Sequence, residues 1–285
     1  MAPKVQAFFD AATSTATYLV SDPATRMAAI IDPVLDFEPR GAKLSTASAD
    51  ALIAAAHEQG LQLAFVLETH AHADHLSAAD YIRRKTGAAV GIGAAITEVQ
   101  GVFAAVFETE TAPGGKDFDL LLKDGDSFAL GNLQVKVMHT PGHTPACVTY
   151  LIGDAAFVGD TLFMPDYGTA RTDFPGGDAA TLYRSIGKIL ALPPGTRIFV
   201  GHDYLPEGRH EFRWETTVAD ERAHNVHVHD GIGEAEFVAA RTARDATLAP
   251  PVLILPSLQV NIRAGALPAP SPEGRVFLRL PVTVA

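Results

Sequence analysis

Thr69-His70-Ala71-His72-Ala73-Asp74-His75 is the stretch on which the reading of this chain turns. It follows the apolar, strand-like run Leu63–Leu67 and precedes a helical pattern over Leu76–Lys85 that stops at Gly87. Alternation along extended chain puts His70 and His72 on one side, and Asp74 and His75 then turn into the helix start. Four metal-capable side chains within six residues is not core chemistry. Taking so many polar rings out of water without a metal or partners is costly.

Working outward, three further strand ends carry matching chemistry. His139-Thr140-Pro141-Gly142-His143-Thr144 sets a histidine just after Pro-Gly, a rigid turn suited to a ligand that must not move. His143 is the ligand candidate there, and His139 serves equally well as a support. Gly159-Asp160-Thr161 closes an apolar strand, and Val200-Gly201-His202-Asp203-Tyr204 sets a histidine directly after another. The donors gathered at strand ends are then His70, His72, Asp74, His75, His143, Asp160 and His202. Nitrogen and oxygen donors without thiolates suit zinc, iron or manganese. Cys147 is the only cysteine, so neither an internal disulfide nor a thiolate zinc cage can form; we read it as a buried structural thiol.

The rest of the chain has room for a large core. It has 285 residues, 47% of them hydrophobic. With 22 basic and 33 acidic residues the formal net charge is −11, which disfavours a phosphate backbone as partner. The opening MAPKVQAFFD is not a secretory signal, and no apolar run reaches the length of a membrane span; the stretch that comes nearest, Ala94–Phe107, is broken by Thr97, Glu98 and Gln100. A cytoplasmic protein is expected. No P-loop or nucleophile-elbow motif occurs, and Gly91-Ile92-Gly93 lacks the third glycine of a dinucleotide loop. Strands are expected at Val5–Phe9, Thr17–Val20, Ala28–Ile31, Leu63–Leu67, Leu133–Val137, Val148–Ile152, Ala155–Val158 and Ile198–Val200, with a hairpin turn at Gly153-Asp154. Helices are expected at Ser48–Glu58, Leu76–Lys85, Asp178–Leu190, Glu215–Val226 and Glu234–Arg244. Hairpins interspersed with helices predict an α/β fold of two mixed sheets covered by helices. We expect one domain over 1–285, with 206–285 a helical and extended elaboration packed on the core. Its proline-rich end contains two strand-like pieces, Val252–Leu255 and Val276–Leu280.

The order H-x-H-x-D-H, then His, Asp and His at growing separations, resembles the metallo-β-lactamase superfamily over most of residues 1–205. That resemblance implies an αββα sandwich with the metal at the edge of the two sheets. Three more stretches narrow it. Ala170-Arg171-Thr172-Asp173-Phe174, His202-Asp203-Tyr204 and Val260-Asn261-Ile262-Arg263-Ala264-Gly265 resemble segments of the persulfide dioxygenases. Leu253–Gly265 together with the opening Phe8-Phe9-Asp10 looks most like their bacterial, β-lactamase-hydrolase-like branch. Ala170 stands where many relatives have glycine, and Ala264 where some have cysteine, so any role of that thiol is absent here. The segments Glu108–Asp119 and Val226–Ile232 match no motif.

The resemblance implies one Fe(II) per chain held by His70, His143 and Asp160. It leaves His72, Asp74, His75 and His202 as a vacant half-site around it, with Asp74, His202 and Tyr204 acting in catalysis. The implied reaction is oxidation of glutathione persulfide, or another low-molecular-weight persulfide, by O2 to sulfite and glutathione. Arg171 and Arg263 are then candidates for the glutathione carboxylates, because guanidinium offers a two-pronged fork. Tyr204 and Asn261 are candidates for its peptide part or sulfur. The residues alone do not choose between one iron and two zincs, since a complete binuclear set is present. A glyoxalase II-like thiolester hydrolase with two metals, and a non-catalytic metal-binding or redox-sensing module, stay open. So does a homodimer. No nucleic acid and no membrane are expected as partners.

Overall fold

The computed structural model describes residues 2–108 and 114–282. In chain order the elements are β1 (Lys4–Asp10), β2 (Thr15–Ser21), β3 (Met27–Ile31), β4 (Val34–Glu38), β5 (Lys43–Ser45), α1 (Ala47–Glu58), β6 (Gln62–Leu67), β7 (Leu76–Ser77), α2 (Ala79–Thr86), β8 (Ala89–Gly93), α3 (Ile96–Phe107) and β9 (Leu120–Leu122). There follow β10 (Ser127–Leu130), β11 (Leu133–His139), β12 (Val148–Ile152), β13 (Ala155–Gly159), α4 (Ala179–Leu190), β14 (Arg197–Val200), β15 (Glu215–Thr217), α5 (Val218–His224), α6 (Glu234–Asp245) and α7 (Ile254–Asn261). One sheet runs β1-β2-β3-β6-β8-β9 and a second β10-β11-β12-β13-β14-β15; β5-β4-β7 form a small third. Both large sheets are mixed. The first is antiparallel at β1–β2–β3 and parallel beyond, and the second is antiparallel except for the parallel β13–β14 pair.

The period-two alternation of strand side chains sorts the core into layers. On β2, Tyr18 and Val20 enter the cluster between the sheets, while Leu19 faces outward to helices; on β13, Phe157 goes inward and Ala156 and Val158 outward. Leu19, Ile30 and Val90 meet Leu52 of α1, Ile82 of α2 and Phe103 of α3. Val158 and Ile198 meet Leu182 and Ile186 of α4 and Phe237 of α6. The result is the αββα sandwich expected. The Gly153-Asp154 turn does join β12 to β13, with Gly153 at φ +61°.

Three expectations need correction. Leu76–Ser77 is a strand paired with Val34–Leu35, so the helix after the metal-capable loop starts only at Ala79. Glu215–Thr217 completes the second sheet against β14, and Thr217 then caps α5 by accepting from Asp220 N. The tail strands are absent. Ile254, Leu258 and Ile262 recur every four residues and bury one face of α7, with Pro256 tolerated in its first turn. Residues 276–280 stay irregular, held by Gln259, whose amide accepts from Arg279 N and donates to Arg279 O at 2.7 Å each. Part of the Glu108–Asp119 segment, residues 109–113, lies outside the described residues. No helix among the described residues is long and apolar enough to cross a membrane.

Candidate metal centre

The loops after β6, β11, β13 and β14 converge at one edge of the sandwich. Two glycines permit the close approach. Gly142 (φ +134°) lies against α4, where a Cβ would come within 2.4 Å of the Leu182 backbone, and this seats the turn that carries His143. Gly159 (φ +51°) lies against Thr69, where a Cβ would come within 2.3 Å of Oγ1, and this brings Asp160 to the His70 loop.

Three donors face one point. Asp160 Oδ2 is 3.9 Å from His70 Nε2 and 3.8 Å from His143 Nε2. Each histidine is fixed from behind. His143 Nδ1–H donates to Arg171 O at 2.7 Å, so its Nε2 carries the lone pair. The Thr69 hydroxyl donates to Asp32 Oδ2 at 2.8 Å and accepts from His70 Nδ1 at 3.0 Å, which gives His70 the same tautomer. His70 Nε2 is buried and has no hydrogen-bond partner among the described residues. Separations near 4 Å are too long for hydrogen bonds, yet an ion with bonds of about 2.0–2.2 Å can span them. Burial, reinforced by His72, holds the His70 imidazole well below its usual pKa, leaving the lone pair available to a cation. The donor set therefore fits a metal.

The neighbouring donors are mostly spent on each other, His75 Nε2 excepted. His202 Nδ1 is 2.7 Å from Asp160 Oδ1, and its Nε2 is 2.6 Å from Asp74 Oδ2. His75 Nδ1 is 3.1 Å from the same Asp74 oxygen. Thr15 Oγ1 lies 3.1 Å from His202 Nε2 and 3.3 Å from His75 Nδ1. Burial alone would lower the His202 pKa, but carboxylates on both nitrogens push it up to about 10. Burial would likewise raise Asp160 and Asp74, but His202 above all holds both well below the usual carboxylate range. His72 turns to a different pair, with Nε2 3.0 Å from Asp32 Oδ1 and 3.5 Å from Glu68 Oε2. Those two carboxylates lift it well above its usual pKa against the effect of burial.

Asn261 is placed otherwise than as a substrate contact. It is buried, and its amide is consumed by the metal-capable loop: Nδ2 donates to His72 O at 2.8 Å and His75 O at 2.7 Å, and Oδ1 accepts from Ser77 N at 2.7 Å. Arg263 is also away from the cavity, donating to Leu267 O at 3.2 Å. Arg171 and Tyr204 do line it. The Arg171 fork is occupied by Asp173, at 2.5 and 2.6 Å, so a free carboxylate clamp is not what it offers. Tyr204 lies parallel to the His202 ring, 5.5 Å between centroids, and forms an aromatic wall with Phe163 and Tyr167. His139 supports its turn, with Nε2 2.8 Å from Pro145 O. Cys147 accepts from Thr144 N, and burial pushes its thiol up to about 12, which leaves it inert.

Asp32, Glu68, Thr15 and the cavity-lining His227, Arg241 and Arg244 were not singled out from the sequence. Asp32 did carry a signal: like Asp160, it follows directly on an apolar strand, here Ala28–Ile31.

Residues 12–202 match the metallo-beta-lactamase superfamily. The chain belongs to that superfamily. It is 53% identical to a probable metallo-hydrolase of Burkholderia pseudomallei (strain 1710b), over 98% of both chains. It is 50% identical to a beta-lactamase hydrolase-like protein of Xylella fastidiosa (strain 9a5c), covering 98% of this chain but only 65% of that relative's length. The mitochondrial persulfide dioxygenase ETHE1 of Homo sapiens is 36% identical over 76% of this chain and 72% of its own. Among solved structures, ETHE1 from Myxococcus xanthus superposes with a TM-score of 0.74 at 32% identity, covering 92% of this chain and 100% of that one. Membership of this superfamily and the donor clusters support a metal-binding enzyme.

Proposed function

We propose that this protein is a persulfide dioxygenase acting on glutathione persulfide or another low-molecular-weight persulfide. The balanced reaction is RSSH + O2 + H2O → RSH + SO3²⁻ + 2 H⁺. The observation that carries the reading is the asymmetry of the donor cluster. His70, His143 and Asp160 each offer one atom to a shared point, within 4.8 Å of one another, while His202 spends both nitrogens on carboxylates. Two histidines and one carboxylate make the donor set of non-haem iron oxygenases. Similarity to the human persulfide dioxygenase supports the same reading. One Fe(II) held there supplies a Lewis-acidic anchor for a sulfur anion and the one-electron chemistry that O2 requires.

The chain's own part is orientation and exclusion. Arg171 O and the Thr69–Asp32 relay fix the two imidazoles. His202 ties down Asp160 Oδ1, so that Oδ2 is the oxygen left to a cation, and Phe163, Tyr167 and Tyr204 wall the cavity against stray water and thiols.

One observation favours a second reading, a binuclear thiolester hydrolase. His75 Nε2 is buried without a partner, and His72, Asp74 and His75 form a further donor group. Metal analysis and oxygen uptake on one preparation, purified without added metal, separate the two. Close to one iron per chain with persulfide-dependent oxygen uptake is expected. Two metals per chain, with thiol release from a thiolester and no oxygen uptake, would replace the dioxygenase by the hydrolase.

A further inference from the structure

The cavity that opens onto the metal centre encloses about 690 Å³, within the ~300–1,000 Å³ of sites that bury small organic ligands. Its metal end presents Asp74, His143 and Asp160. Another part of its wall, His227, Arg241, Arg244, Leu248, Pro251 and Val252, comes from beyond residues 12–202, the span that matches the superfamily.

Among the described residues the charges on the wall are matched with one exception. Arg171 pairs with Asp173, Asp166 with Arg209 at 2.9 Å, and Arg241 with Asp245 at 2.6 Å. Arg244, in the last turn of α6, has no ion pair and no side-chain hydrogen bond among the described residues; its backbone carbonyl accepts from Ala246 and Thr247. His227 adds a neutral donor. Thr169 N–H donates to its Nδ1 at 3.1 Å, so the proton sits on Nε2. Burial and the nearby Arg241 and Arg244 lower its pKa and keep it neutral. Its ring cannot swing toward Gly168, where even a Cβ would come within 2.2 Å of Nδ1. An unmatched guanidinium and a fixed N–H donor on one cavity wall are complementary to an anion.

We propose that Arg244, with His227 Nε2–H near it, binds a carboxylate of the ligand whose sulfur reacts at the metal centre. The proposal rests on the reading of the cavity as a site for a low-molecular-weight thiol derivative, and it assigns to Arg244 the recognition that Arg171, already paired, does not supply. The charge therefore selects peptide-like, carboxylate-bearing ligands over neutral ones.

Calorimetric titration of metal-loaded wild type, Arg244→Ala and Arg244→Lys with glutathione and with glutathione diethyl ester tests it. Wild type should bind glutathione more tightly than the ester. Arg244→Ala should weaken glutathione binding about tenfold or more, the scale of one lost charge-assisted bond, with the ester changed less than about twofold and Arg244→Lys in between. Arg244 is exposed on a helix end, so the variants should keep the wild-type circular dichroism and metal content. Unchanged glutathione binding in Arg244→Ala, equal losses for both ligands, or a wild type that does not prefer glutathione would each overturn the assignment. Charge-dependent binding lost with Arg244 in a protein that consumes no oxygen would sink the dioxygenase reading and leave this one standing.

Discussion

Asp160 Oδ2 stands 3.8–3.9 Å from His143 Nε2 and His70 Nε2, whereas at the same sheet edge Asp74 Oδ2 sits 2.6 Å from His202 Nε2 and 3.1 Å from His75 Nδ1. The second set largely satisfies itself: a proton on each His202 nitrogen bridges two carboxylates, and His75 Nε2 is its one buried atom left without a partner among the described residues. The first set does not, and buried polar atoms left without partners cost free energy until something fills the gap. The difference teaches that ligand candidates of identical chemistry divide by what already holds their hydrogen-bonding atoms. Asp160 belongs to both sets, one oxygen to each.

The largest effect should come from breaking the open set. Asp160→Ala removes the atom that both histidines face and also releases His202, so bound metal and activity should fall together, close to background. Metal analysis and oxygen uptake on one preparation check it. Full metal content in the variant would remove Asp160 from the ligand set.

Asp74→Asn probes the closed set. If Asp74 works by orienting His202 and His75, iron should stay mostly bound while oxygen uptake slows by about 10–100-fold, the usual scale for groups behind a ligand. Complete loss of metal would show that the two sets do not divide as described. Unchanged metal and unchanged rate would reduce the closed set to a remnant.

Asn261→Ala sharpens the comparison from outside, because it touches no donor atom of either set, only the backbone that carries them. It removes three hydrogen bonds that clamp the backbone of residues 72–77 from about 185 positions away in sequence. Stability should fall by about 1–3 kcal/mol, the cost of leaving buried backbone groups unpartnered. Metal should bind more weakly, because the loop loses its template. Thermal unfolding and competition with a chelator measure the two. A variant as stable as wild type that loses only affinity for glutathione would restore Asn261 to the substrate.

Much of this was legible in the sequence, and the rest was not for definable reasons. The strands around the centre could be read because each is a short apolar run, two of them closed by Gly159 and Gly201, and the donors because they fall at or just past the strand ends. What failed was pairing information. Leu76–Ser77 looks helical until Val34–Leu35 is known to lie beside it. Val252–Leu255 looks like a strand until Leu258 and Ile262 show the four-residue recurrence. The partner of a side chain is still less visible. Nothing in Arg171 or Asn261 as letters says that Asp173 or a loop backbone already occupies them, and nothing in Arg244 says that it is unpaired.

Glu221 supplies the smallest and cleanest contrast, a buried carboxyl that lacks what Asp160 and Asp74 have. Burial raises all three; His202 reverses the shift for the two aspartates, but around Glu221 there is only Asn225, whose Nδ2 donates to Oε2 at 2.6 Å, with Asp220 and Asp166 adding like charge. Oε1 has no partner among the described residues, and the carboxyl is pushed up to about 8. A folded-state pKa raised above the unfolded value of about 4.5 means that the native state holds the extra proton between those pH values. The contribution to stability is thus full below about 4.5 and is lost as pH rises through about 8. Glu221→Gln keeps an oxygen for Asn225 and never has to ionise. The gap in unfolding free energy between the variant and wild type, read from denaturant titrations at each pH, should therefore widen from pH 5 to pH 8 in favour of the variant and then level off, reaching on the order of a few kcal/mol. Taking the difference between the two proteins cancels the titration of the metal centre, which both share. Parallel curves across that range would mean that Glu221 ionises as freely as a surface carboxylate, and that burial without a cation does not separate it from Asp160.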